Sequence, residues 1–318
     1  MTNPQFTVKI ASREVQADSV VLLDFEDQQG KPLPKFDAGA HIDVHVSDDI
    51  IRQYSLSNSP QETSRYRIGV LNDPQSRGGS KSIFENFEEG QIVTISEPRN
   101  HFPLNFDASH SILIGGGIGI TPMLAMAYAL KAEGKSFEIH YCSRTRDKAA
   151  FLDELESNFG DVTTLHFDDL GEDQMIKPKT LCENSVNGTH VYVCGPSGFM
   201  DWVISESKAA GLASDQVHFE YFNADVETSG TAFEVYAQAS DVTVQVAEDQ
   251  TIIDALLQAG IKVEKSCEQG VCGTCICDVV EGIPDHKDKF LTEDEREDND
   301  QIVTCCSRAK TDRLVLDI

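Results

Sequence analysis

Cys267-Glu-Gln-Gly-Val-Cys272-Gly-Thr-Cys275 decides how the last part of this 318-residue chain folds, and a fourth cysteine follows at Cys305. The spacing, C-x4-C-x2-C with a distant fourth cysteine, is typical of a [2Fe–2S] cluster, because two irons need four thiolates and a tight loop can supply three. Gly270 and Gly273 suit such a loop, since glycine tolerates positive φ and adds no side-chain bulk. We therefore predict four iron ligands: Cys267, Cys272, Cys275 and Cys305.

Other interpretations of the cysteines have less support. A four-cysteine zinc site usually pairs two C-x2-C motifs, and this sequence contains one. Disulfides are disfavoured, because the N-terminal residues do not form a secretory signal that would place the chain in an oxidising compartment. Cys277 and Cys306 are interpreted as spare thiols beside the ligands, and three others could be buried and inert: Cys142, Cys182 and Cys194.

The composition indicates a multidomain protein that does not bind nucleic acid. At 318 residues the chain is too long for one hydrophobic core. The formal net charge of −27 disfavours binding to the phosphates of DNA or RNA. No apolar run approaches the roughly 20 residues that a membrane-spanning helix needs, so we expect a cytoplasmic protein that does not bind a membrane.

Acidic residues are concentrated in one segment near the C-terminus. Its members are Glu293, Asp294, Glu295, Glu297, Asp298 and Asp300. The segment could be a solvated face that aids solubility. It could also be a docking surface for a basic redox partner, whose approach salt would weaken. The sequence leaves both interpretations open.

The first third, residues 1–106, has the pattern of an antiparallel β-barrel. Short alternating segments are separated by turn residues, and no helices are interleaved with these strands. The predicted strands are Phe6–Ile10, Val20–Leu23, His41–Val46, Tyr66–Leu71 and Ile92–Ile95.

Two segments of this part carry residue types that suit a flavin. In Arg52-Gln-Tyr54-Ser55-Leu56, Ser55 could hydrogen-bond an isoalloxazine edge, Tyr54 offers an aromatic face and Arg52 could lie near a phosphate. In Arg77-Gly78-Gly79-Ser80, a glycine turn leads into a predicted short helix whose N-terminus would attract an anion. An amphipathic strand and a plain Gly-Gly loop would explain each segment alone, but together they favour a flavin phosphate.

The middle third, residues 107–224, alternates strands and helices, which predicts an α/β nucleotide domain with a parallel sheet. A strand leads into the glycine turn Gly115-Gly116-Gly117-Ile-Gly119, and we expect Thr121 to be the N-cap of the next helix, with Pro122 in its first position. A second glycine turn, Cys194-Gly195-Pro196, follows a later strand. Ligands of such sheets bind beyond the carboxyl ends of the strands, where both turns would lie.

Further nucleotide contacts are expected after the later strands of this part. Arg144 and Arg146 could meet a ribose or a phosphate, or could belong to a solvated loop. Asp168 could accept a hydrogen bond from a ribose hydroxyl. Phe222, at the end of this part, could be a core residue or a ring stacked on the flavin.

The last part, residues 233–318, predicts a small β-sheet packed on a helix, an α+β arrangement with the cysteine loop at one end. A polar, glycine-containing segment at residues 225–232 is expected to be the linker that precedes it. His286 follows the cysteine loop and is interpreted as structural.

These motifs together resemble the phthalate dioxygenase reductase family, the single-chain reductases of Rieske non-haem iron oxygenases. The order of the parts is the family's order, with a plant-type ferredoxin domain at the C-terminus. The segments at residues 52–56 and 77–80 resemble its flavin strand and FMN phosphate turn, and those at 115–122 and 194–196 its nicotinamide site. Phe222 matches its aromatic residue at the end of the nucleotide domain. Cys305 is preferred to Cys306 because Cys-x-Ser-Arg is similar to the ferredoxin C-terminal pattern.

The resemblance implies an NADH-dependent oxidoreductase. A hydride would pass from NADH to FMN, and electrons would pass singly to the [2Fe–2S] cluster and then to a separate oxygenase protein. No dedicated acid or base is expected, and Ser55 near the flavin and Cys194 near the nicotinamide would be closest to the chemistry. The remaining cofactor-binding candidates are Arg52, Tyr54, Leu56, Arg77, Gly78, Gly79, Ser80, Gly116, Gly117, Thr121, Arg144, Asp168, Gly195, Pro196 and Phe222.

Other functions with the same cofactors stay open. One is a stand-alone NAD(P)H-dependent acceptor reductase, and the other is a redox sensor without an oxygenase partner. FMN is preferred to FAD because the turn at residues 77–80 can close over a terminal phosphate. NADH is preferred to NADPH, although Arg144 and Arg146 could accept a 2′-phosphate.

Overall fold

The computed structural model describes residues 4–47, 49–224 and 226–318. The chain forms two compact units. The first ends at Phe222 and contains the barrel and nucleotide parts, and the second runs from Asn223 to Ile318. Residues 226–232, which the sequence suggested as a linker, belong to the second unit.

The predicted antiparallel barrel is present in the first unit. Its strands are β1 (Gln5–Gln16), β2 (Val20–Asp27), β3 (His41–His45), β4 (Ile51–Ser55), β5 (Tyr66–Leu71) and β6 (Ile92–Ser96), with α1 (Gly79–Asn86) between the last two. They pair in the order β4-β3-β6-β1-β2-β5. An antiparallel bridge between Leu56, just after β4, and Ile68 of β5 joins the two outer strands and closes the barrel.

Alternating apolar residues fill the barrel core. In β1, Val8 and Ile10 are fully buried while Lys9 between them is only partly buried, as the two-residue period of a strand requires. The carboxylate of Asp24 in β2 accepts hydrogen bonds from Arg65 at 2.6 Å and from Arg67 at 2.9 Å. These ion pairs fasten β2 to β5 at the edge of the core.

The nucleotide part is a parallel sheet with helices between its strands, as the sequence predicted. Its elements are β7 (His110–Gly116), α2 (Ile120–Ala132), β8 (Phe137–Ser143), α3 (Leu152–Phe159), β9 (Thr163–Phe167), α4 (Pro178–Glu183), β10 (Thr189–Gly195), α5 (Ser197–Ala209) and β11 (Val217–Tyr221). The strand order is β11-β10-β7-β8-β9. The connections run in opposite directions from β7 and β10, so a crevice forms beyond the carboxyl ends of these two strands.

The helix after the first glycine turn begins earlier than the sequence predicted. Gly119 rather than Thr121 is the N-cap of α2, and Pro122 is the third helical residue rather than the first. The Thr121 hydroxyl lies inside the first turn and donates to the carbonyl oxygen of Ile118 at 3.0 Å. The reason is that Gly117–Gly119 forms a tight 3-10 turn that continues directly into α2.

The barrel and the parallel sheet share one apolar core. Val20 of the barrel and Leu113 of the sheet belong to the same cluster of buried side chains. Gly69 of β5 permits this close approach, because a Cβ there would lie 3.0 Å from the Thr121 methyl group and 3.1 Å from the Phe151 ring. The first unit therefore behaves as one packed body.

The second unit is an α+β domain. Its elements are β12 (Phe233–Ala237), β13 (Val242–Val246), α6 (Ile252–Gln258), β14 (Ile276–Glu281), β15 (Pro284–Asp285), α7 (Glu293–Asp298), β16 (Gln301–Val303), β17 (Arg308–Ala309) and β18 (Arg313–Leu316). The main sheet has the order β13-β12-β18-β14-β16, and β15 pairs with β17. The cysteine loop connects α6 to β14. Among the residues described in either unit, no helix has both the length and the apolar character needed to cross a bilayer.

We predict that Gly39→Ala destabilises the first unit far more than Gly30→Ala. Both glycines have positive φ, +92° and +73°, so each alanine adds roughly 1–2 kcal/mol of backbone strain. A Cβ at Gly39 would also overlap the carbonyl oxygen of Phe102, whereas Gly30 has no heavy atom within 4 Å of that position. We expect Gly39→Ala to lower the free energy of unfolding by at least about 3 kcal/mol. Urea unfolding followed by the fluorescence of Trp202 measures this, and equal effects of the two variants would contradict it.

Candidate active site

The predicted phosphate turn lies against Arg52. Gly78, with φ +96°, is the N-cap of α1, and no side chain caps this helix. A Cβ on Gly79 would lie 2.6 Å from Cγ and 2.8 Å from Nε of Arg52, so glycine lets the arginine cross the start of the helix. Arg77 is exposed and Ser80 is partly buried at the same turn. A helix N-terminus and a guanidinium side by side are suited to bind a phosphate.

The predicted flavin contacts Tyr54, Ser55 and Leu56, at the end of β4 and just after it, differ in their surroundings. Tyr54 pairs with Ile42 across the sheet, and burial raises the pKa of its phenol. Leu56 points into the barrel core, where it is fully buried, and its N–H donates to the carbonyl of Ala40 at 2.9 Å. Leu56 therefore packs and fixes the strand, and Ser55 carries the polar group.

Ser55 meets a carboxyl group that the sequence patterns do not single out. Its hydroxyl donates to Oε2 of Glu220 at 3.1 Å, and Nδ1 of His41 lies 3.9 Å from Oε1 of the same carboxyl. Glu220 belongs to β11 and pairs in register with Cys194 of β10. Burial raises the pKa of Glu220 to about 7, and the hydrogen bond from Ser55 opposes this rise.

The protonation state of Glu220 decides what Ser55 offers to a bound group. When Glu220 is ionised, the Ser55 hydrogen is committed to it and only the Ser55 oxygen remains as an acceptor. When Glu220 is protonated, it can donate to Ser55, and the Ser55 hydrogen is released for another acceptor. Burial and the nearby Arg99 lower the pKa of His41 to about 3, so His41 is neutral near pH 7 and supplies no counter-charge.

A cavity of about 600 Å³ lies between the barrel and the nucleotide part, at the crevice that the strand order predicts, and Val20 and Leu71 of the barrel line one side of it. Both predicted glycine turns line it, through Gly116 and Gly117 after β7 and Pro196 after β10. The rings of Phe199 and Trp202 from α5 also line the cavity, with centroids 6.2 Å apart. Glycine backbone and aromatic rings together suit a flat nucleotide ring.

Charged residues complete the lining of this cavity. Arg144, Lys148 and Asp168 all contribute to it. Arg146 is not among the lining residues, and its guanidinium pairs with Glu156 at 2.5 Å on the exposed surface. The charged groups available to a ribose or a phosphate are therefore two cations and one carboxylate.

Four other predicted cofactor-site residues of the nucleotide part are not among the lining of this cavity: Thr121, Cys194, Gly195 and Phe222. The Cys194 side chain is fully buried, and burial raises the pKa of its thiol, so it is protonated. Gly195 brings the two glycine turns together, because a Cβ there would lie 3.0 Å from Cα of Gly116. Phe222 is partly buried and packs against the core that the barrel and the sheet share.

In the second unit, the cysteine loop wraps as its glycines predicted. Glu268, Gly270 and Gly273 have φ of +53°, +70° and +68°. A Cβ on Gly270 would lie 2.5 Å from Sγ of Cys306, and a Cβ on Gly273 would overlap the Phe290 ring. Only glycine fits these two positions, so the loop can close tightly around its cysteines.

The four predicted ligands lie together and are buried. The Cys267 thiol forms hydrogen bonds with Cys272 and Cys305, and these bonds hold the pKa of Cys267 well below its ordinary value. Cys275 also contacts Cys305. Cys272, Cys267, Cys305 and Cys275 thus form one continuous series of thiol contacts, and four adjacent thiols are the number that a cluster of two irons needs.

Cys306 is placed differently from these four. Its thiol lies beside Cys305 and 3.7 Å from the carbonyl oxygen of Val303. In the described part of the chain, no three or more His, Cys, Asp or Glu side chains have the spacing of a site for one metal ion. Cys305 contacts Cys267 and Cys275, and it stays the predicted fourth ligand.

Comparison with known proteins identifies a related domain in the nucleotide part and another in the second unit. Residues 235–310 match the family described as 2Fe-2S iron-sulfur cluster binding domain, and residues 113–204 match the family described as oxidoreductase NAD-binding domain. The vanillate O-demethylase oxidoreductase of Pseudomonas sp. strain HR199 is 48% identical over 98% of this chain and 99% of its own length. Phthalate dioxygenase reductase, described as a modular structure for electron transfer from pyridine nucleotides to [2Fe-2S], is 40% identical, with a TM-score of 0.77 over 99% of this chain and 98% of that chain.

The chain belongs to the phthalate dioxygenase reductase family. It is an electron-transfer oxidoreductase that uses NADH, FMN and a [2Fe–2S] cluster. An intact type IV self-sufficient cytochrome P450 monooxygenase contains a similar module, 38% identical with a TM-score of 0.87, and this chain spans 41% of that chain. The reductase module therefore also occurs joined to a haem oxygenase.

The residues of this reductase fit the cofactors of its family. When bound, NADH gives two electrons as a hydride, FMN takes both and releases them singly, and the cluster carries one at a time. The Arg52 guanidinium at the helix start suits a flavin phosphate. The buried Ser55 hydroxyl offers a hydrogen-bonding group at the end of the flavin strand. The buried thiols of the cysteine loop are soft donors of the kind that iron–sulfur clusters require.

The sequence patterns missed Glu220 and most of the aromatic lining of the cavity. Glu220 stands in the alternating strand Val217–Tyr221, and its burial results from packing against the barrel residue Ser55. Nothing local in that strand signals this contact. Trp202 offered a signal, because it is the sole tryptophan and follows the second glycine turn by half a dozen residues.

We predict that Glu220 makes the stability of the first unit depend on pH. Its pKa is raised above the ordinary value of 4.5 to about 7, so the bound proton stabilises the fold. This contribution is complete below pH 4.5 and is lost as the pH rises through 7, by about 3 kcal/mol in total. In flavin-free protein, Glu220→Gln should remove this dependence, and Glu133→Gln at an exposed position should not. Urea unfolding at pH 5 and pH 8 measures it, and parallel curves for wild type and Glu220→Gln would contradict it.

Proposed function

We propose that this reductase supplies electrons to a Rieske-type non-haem iron oxygenase that demethylates a methoxylated aromatic acid. The observation that carries the proposal is the 48% identity, over nearly the whole of both chains, with a vanillate O-demethylase oxidoreductase. The family resemblance adds the Rieske type of the partner. We also propose a cytoplasmic location, which the free thiols of the described cysteines support.

We propose the following roles for the residues of the first unit. Arg52, with Arg77 and Ser80, binds the FMN phosphate at the start of α1. Asp168 accepts the ribose hydroxyls of the nucleotide, and the carboxylate disfavours the extra phosphate of NADPH. Arg144 offers the opposite charge in the same cavity, so the preference for NADH is modest.

We assign Ser55 and Glu220 to positioning and proton handling beside the flavin. The Ser55 hydroxyl orients the flavin edge, and Glu220 sets whether that hydroxyl donates or accepts. Cys194 is protonated and fully buried, so it serves by shape rather than as a nucleophile. The shared apolar core excludes water from one side of these groups, which keeps their hydrogen bonds strong.

We propose that the second unit delivers the electrons. Cys267, Cys272, Cys275 and Cys305 hold the cluster, and the loop that carries three of them presents backbone N–H groups to the sulfurs. The N–H of Gln269 donates to Sγ of Cys267 at 3.4 Å. Such hydrogen bonds raise the reduction potential of an iron–sulfur site by stabilising its added negative charge.

Reconstitution tests the proposed partner. With NADH, oxygen and a Rieske-type aromatic O-demethylase, the wild-type reductase should support formaldehyde release from vanillate. Cys272→Ser should abolish that release and leave reduction of FMN by NADH unchanged, because only the cluster is lost. Cys277→Ser is the matched control, since this thiol lies in β14 and faces the carbonyl of Asp317 at 3.8 Å.

Two results would count against the proposed partner or path. Release of formaldehyde with Cys272→Ser at the wild-type rate would show that electrons bypass the cluster. Efficient reduction of a haem monooxygenase, with none of the Rieske-type enzyme, would assign the chain to the partner class of its P450-linked relative.

The acidic segment at residues 293–300 is tested separately as a docking surface. Its helix α7 begins with the capping box of Thr292 and Glu295, so those residues should be spared. Glu297→Lys with Asp298→Lys changes exposed acids at the C-terminal end, where cations suit the helix dipole. We expect about a tenfold loss of oxygenase turnover at low salt, with the difference disappearing at high salt.

The control for this variant is Asp107→Lys with Glu133→Lys, two exposed acids of the first unit that give the same change in net charge. It should retain turnover at low salt. If both double variants behave alike, the segment is a solvated face rather than a docking surface.

A further inference from the structure

The guanidinium of Arg308 is buried in the second unit and is committed to backbone carbonyls. Arg308 is 3% exposed. Its Nη1 donates to the carbonyl oxygens of Thr228 at 2.7 Å and Gln250 at 2.9 Å. Its Nη2 donates to those of Thr231 at 3.0 Å and Ala247 at 2.9 Å. Charge-assisted hydrogen bonds of this kind are about twice as strong as neutral ones.

Two of these carbonyls belong to the segment that the sequence marked as a linker. Thr228 and Thr231 precede β12, whereas Ala247 and Gln250 form the turn that follows β13. The guanidinium therefore bridges the entry segment of the ferredoxin unit to its sheet. It also lies over the Phe233 ring, 5.2 Å from the centroid, which holds it in one plane.

Gly230 permits this arrangement. A Cβ at Gly230 would lie 2.8 Å from Nε and 3.0 Å from Cδ of Arg308, so a larger residue would displace the arginine. The N–H of Gly230 also donates to the carbonyl of Glu248 at 2.9 Å. Residues 228–231 are thus fixed to the ferredoxin unit by side-chain and backbone hydrogen bonds.

We propose that Arg308 is a positioning residue for electron transfer within the chain. By fixing residues 228–231, it shortens the covalent connection between the unit that binds the flavin and the unit that carries the cluster. The connection from the end of β11 at Tyr221 to Thr228 is residues 222–227. Without the guanidinium, Thr228 and Thr231 are released, and the connection can lengthen at most to the start of β12 at Phe233, as residues 222–232.

The difference between these two connection lengths is large enough to change the rate of flavin-to-cluster electron transfer. A fully extended chain spans at most about 3.3–3.6 Å per residue, so the reach rises from about 20 Å to nearly 40 Å. For a flexible connection, the effective concentration of one unit near the other falls roughly as the −3/2 power of length. The release of the clamp should then lower the rate of flavin-to-cluster transfer about two- to threefold. The inference does not rest on the identity of the oxygenase.

Hydrogen exchange of the holoprotein tests the clamp directly. In the wild type, the peptide that covers residues 226–232 should be protected, and Arg308→Gln should remove the protection. Arg313→Gln is the matched control, because Arg313 also lies over a ring, 5.1 Å from the centroid of Tyr236, but is half-exposed and pairs with Glu234. Protection that persists in Arg308→Gln would overturn the clamp.

Anaerobic stopped-flow mixing with NADH tests the consequence for electron transfer. In Arg308→Gln, reduction of the flavin by NADH should be unchanged, and the later reduction of the cluster should slow two- to threefold. The EPR signal and the reduction potential of the cluster should match the wild type, which a general loss of structure would not allow. Loss of protection with an unchanged cluster-reduction rate would overturn the positioning role.

A second variant decides the question if Arg308→Gln loses its cluster. Gly230→Ala keeps the arginine but pushes its guanidinium away from the segment. It should show the same loss of protection and the same slower cluster reduction. Two results with Gly230→Ala would overturn the proposal: full protection of residues 226–232, or loss of that protection with an unchanged rate of cluster reduction.

Discussion

The apolar core shared by the barrel and the parallel sheet is the interaction on which the flavin-side chemistry depends. Gly69 lets β5 approach the start of α2, and the barrel closes through Leu56 just after β4. These contacts bring the Ser55 hydroxyl within 3.1 Å of the Glu220 carboxyl, although the two residues lie 165 positions apart in sequence. Apolar packing between the barrel and the sheet thus brings the two polar groups together, and a loss of this packing would separate Ser55 from Glu220.

That junction also sets the electrostatic character of the site. Burial favours the neutral form of each group around Ser55: it lowers the pKa of His41, raises that of Cys194 and raises that of Glu220 to about 7. Of these three, only Glu220 titrates near neutral pH. Shifted pKa values are common at functional sites, and they also arise from burial in purely structural networks. Glu220 is thus the group of these three whose charge responds to pH near neutrality.

The sequence predicted those features whose chemistry lies in contiguous residues. The cysteine loop, the Arg52 strand, the two glycine turns and the strand at Tyr66–Leu71 are local patterns, and each has the predicted form. The features it missed depend on distant contacts. Glu220 is buried by the barrel, and Arg146 is drawn to Glu156 rather than to the nucleotide cavity. The N-cap of α2 is Gly119 rather than the predicted Thr121, because the 3-10 turn before it continues directly into the helix without a side-chain cap. The preference of threonine for N-cap positions does not reveal such a continuation.

The short segment from Cys305 to Arg308 combines a cysteine of the thiol cluster with an arginine that holds the entry segment of the second unit. Cys305 joins the buried thiols of the cysteine loop, and three residues later Arg308 holds the entry segment of the same unit. Cys305 follows β16 and Arg308 begins β17, and between them the Ser307 hydroxyl donates to the carboxylate of the buried Asp288 at 3.4 Å. Electron transfer from the flavin requires a cluster held in place and a short connection between the unit that carries it and the unit that binds the flavin. The two side chains nevertheless have different partners, because Cys305 contacts other thiols and Arg308 contacts backbone carbonyls. A change of Arg308 alone can therefore release residues 228–231 and leave the cysteines in place.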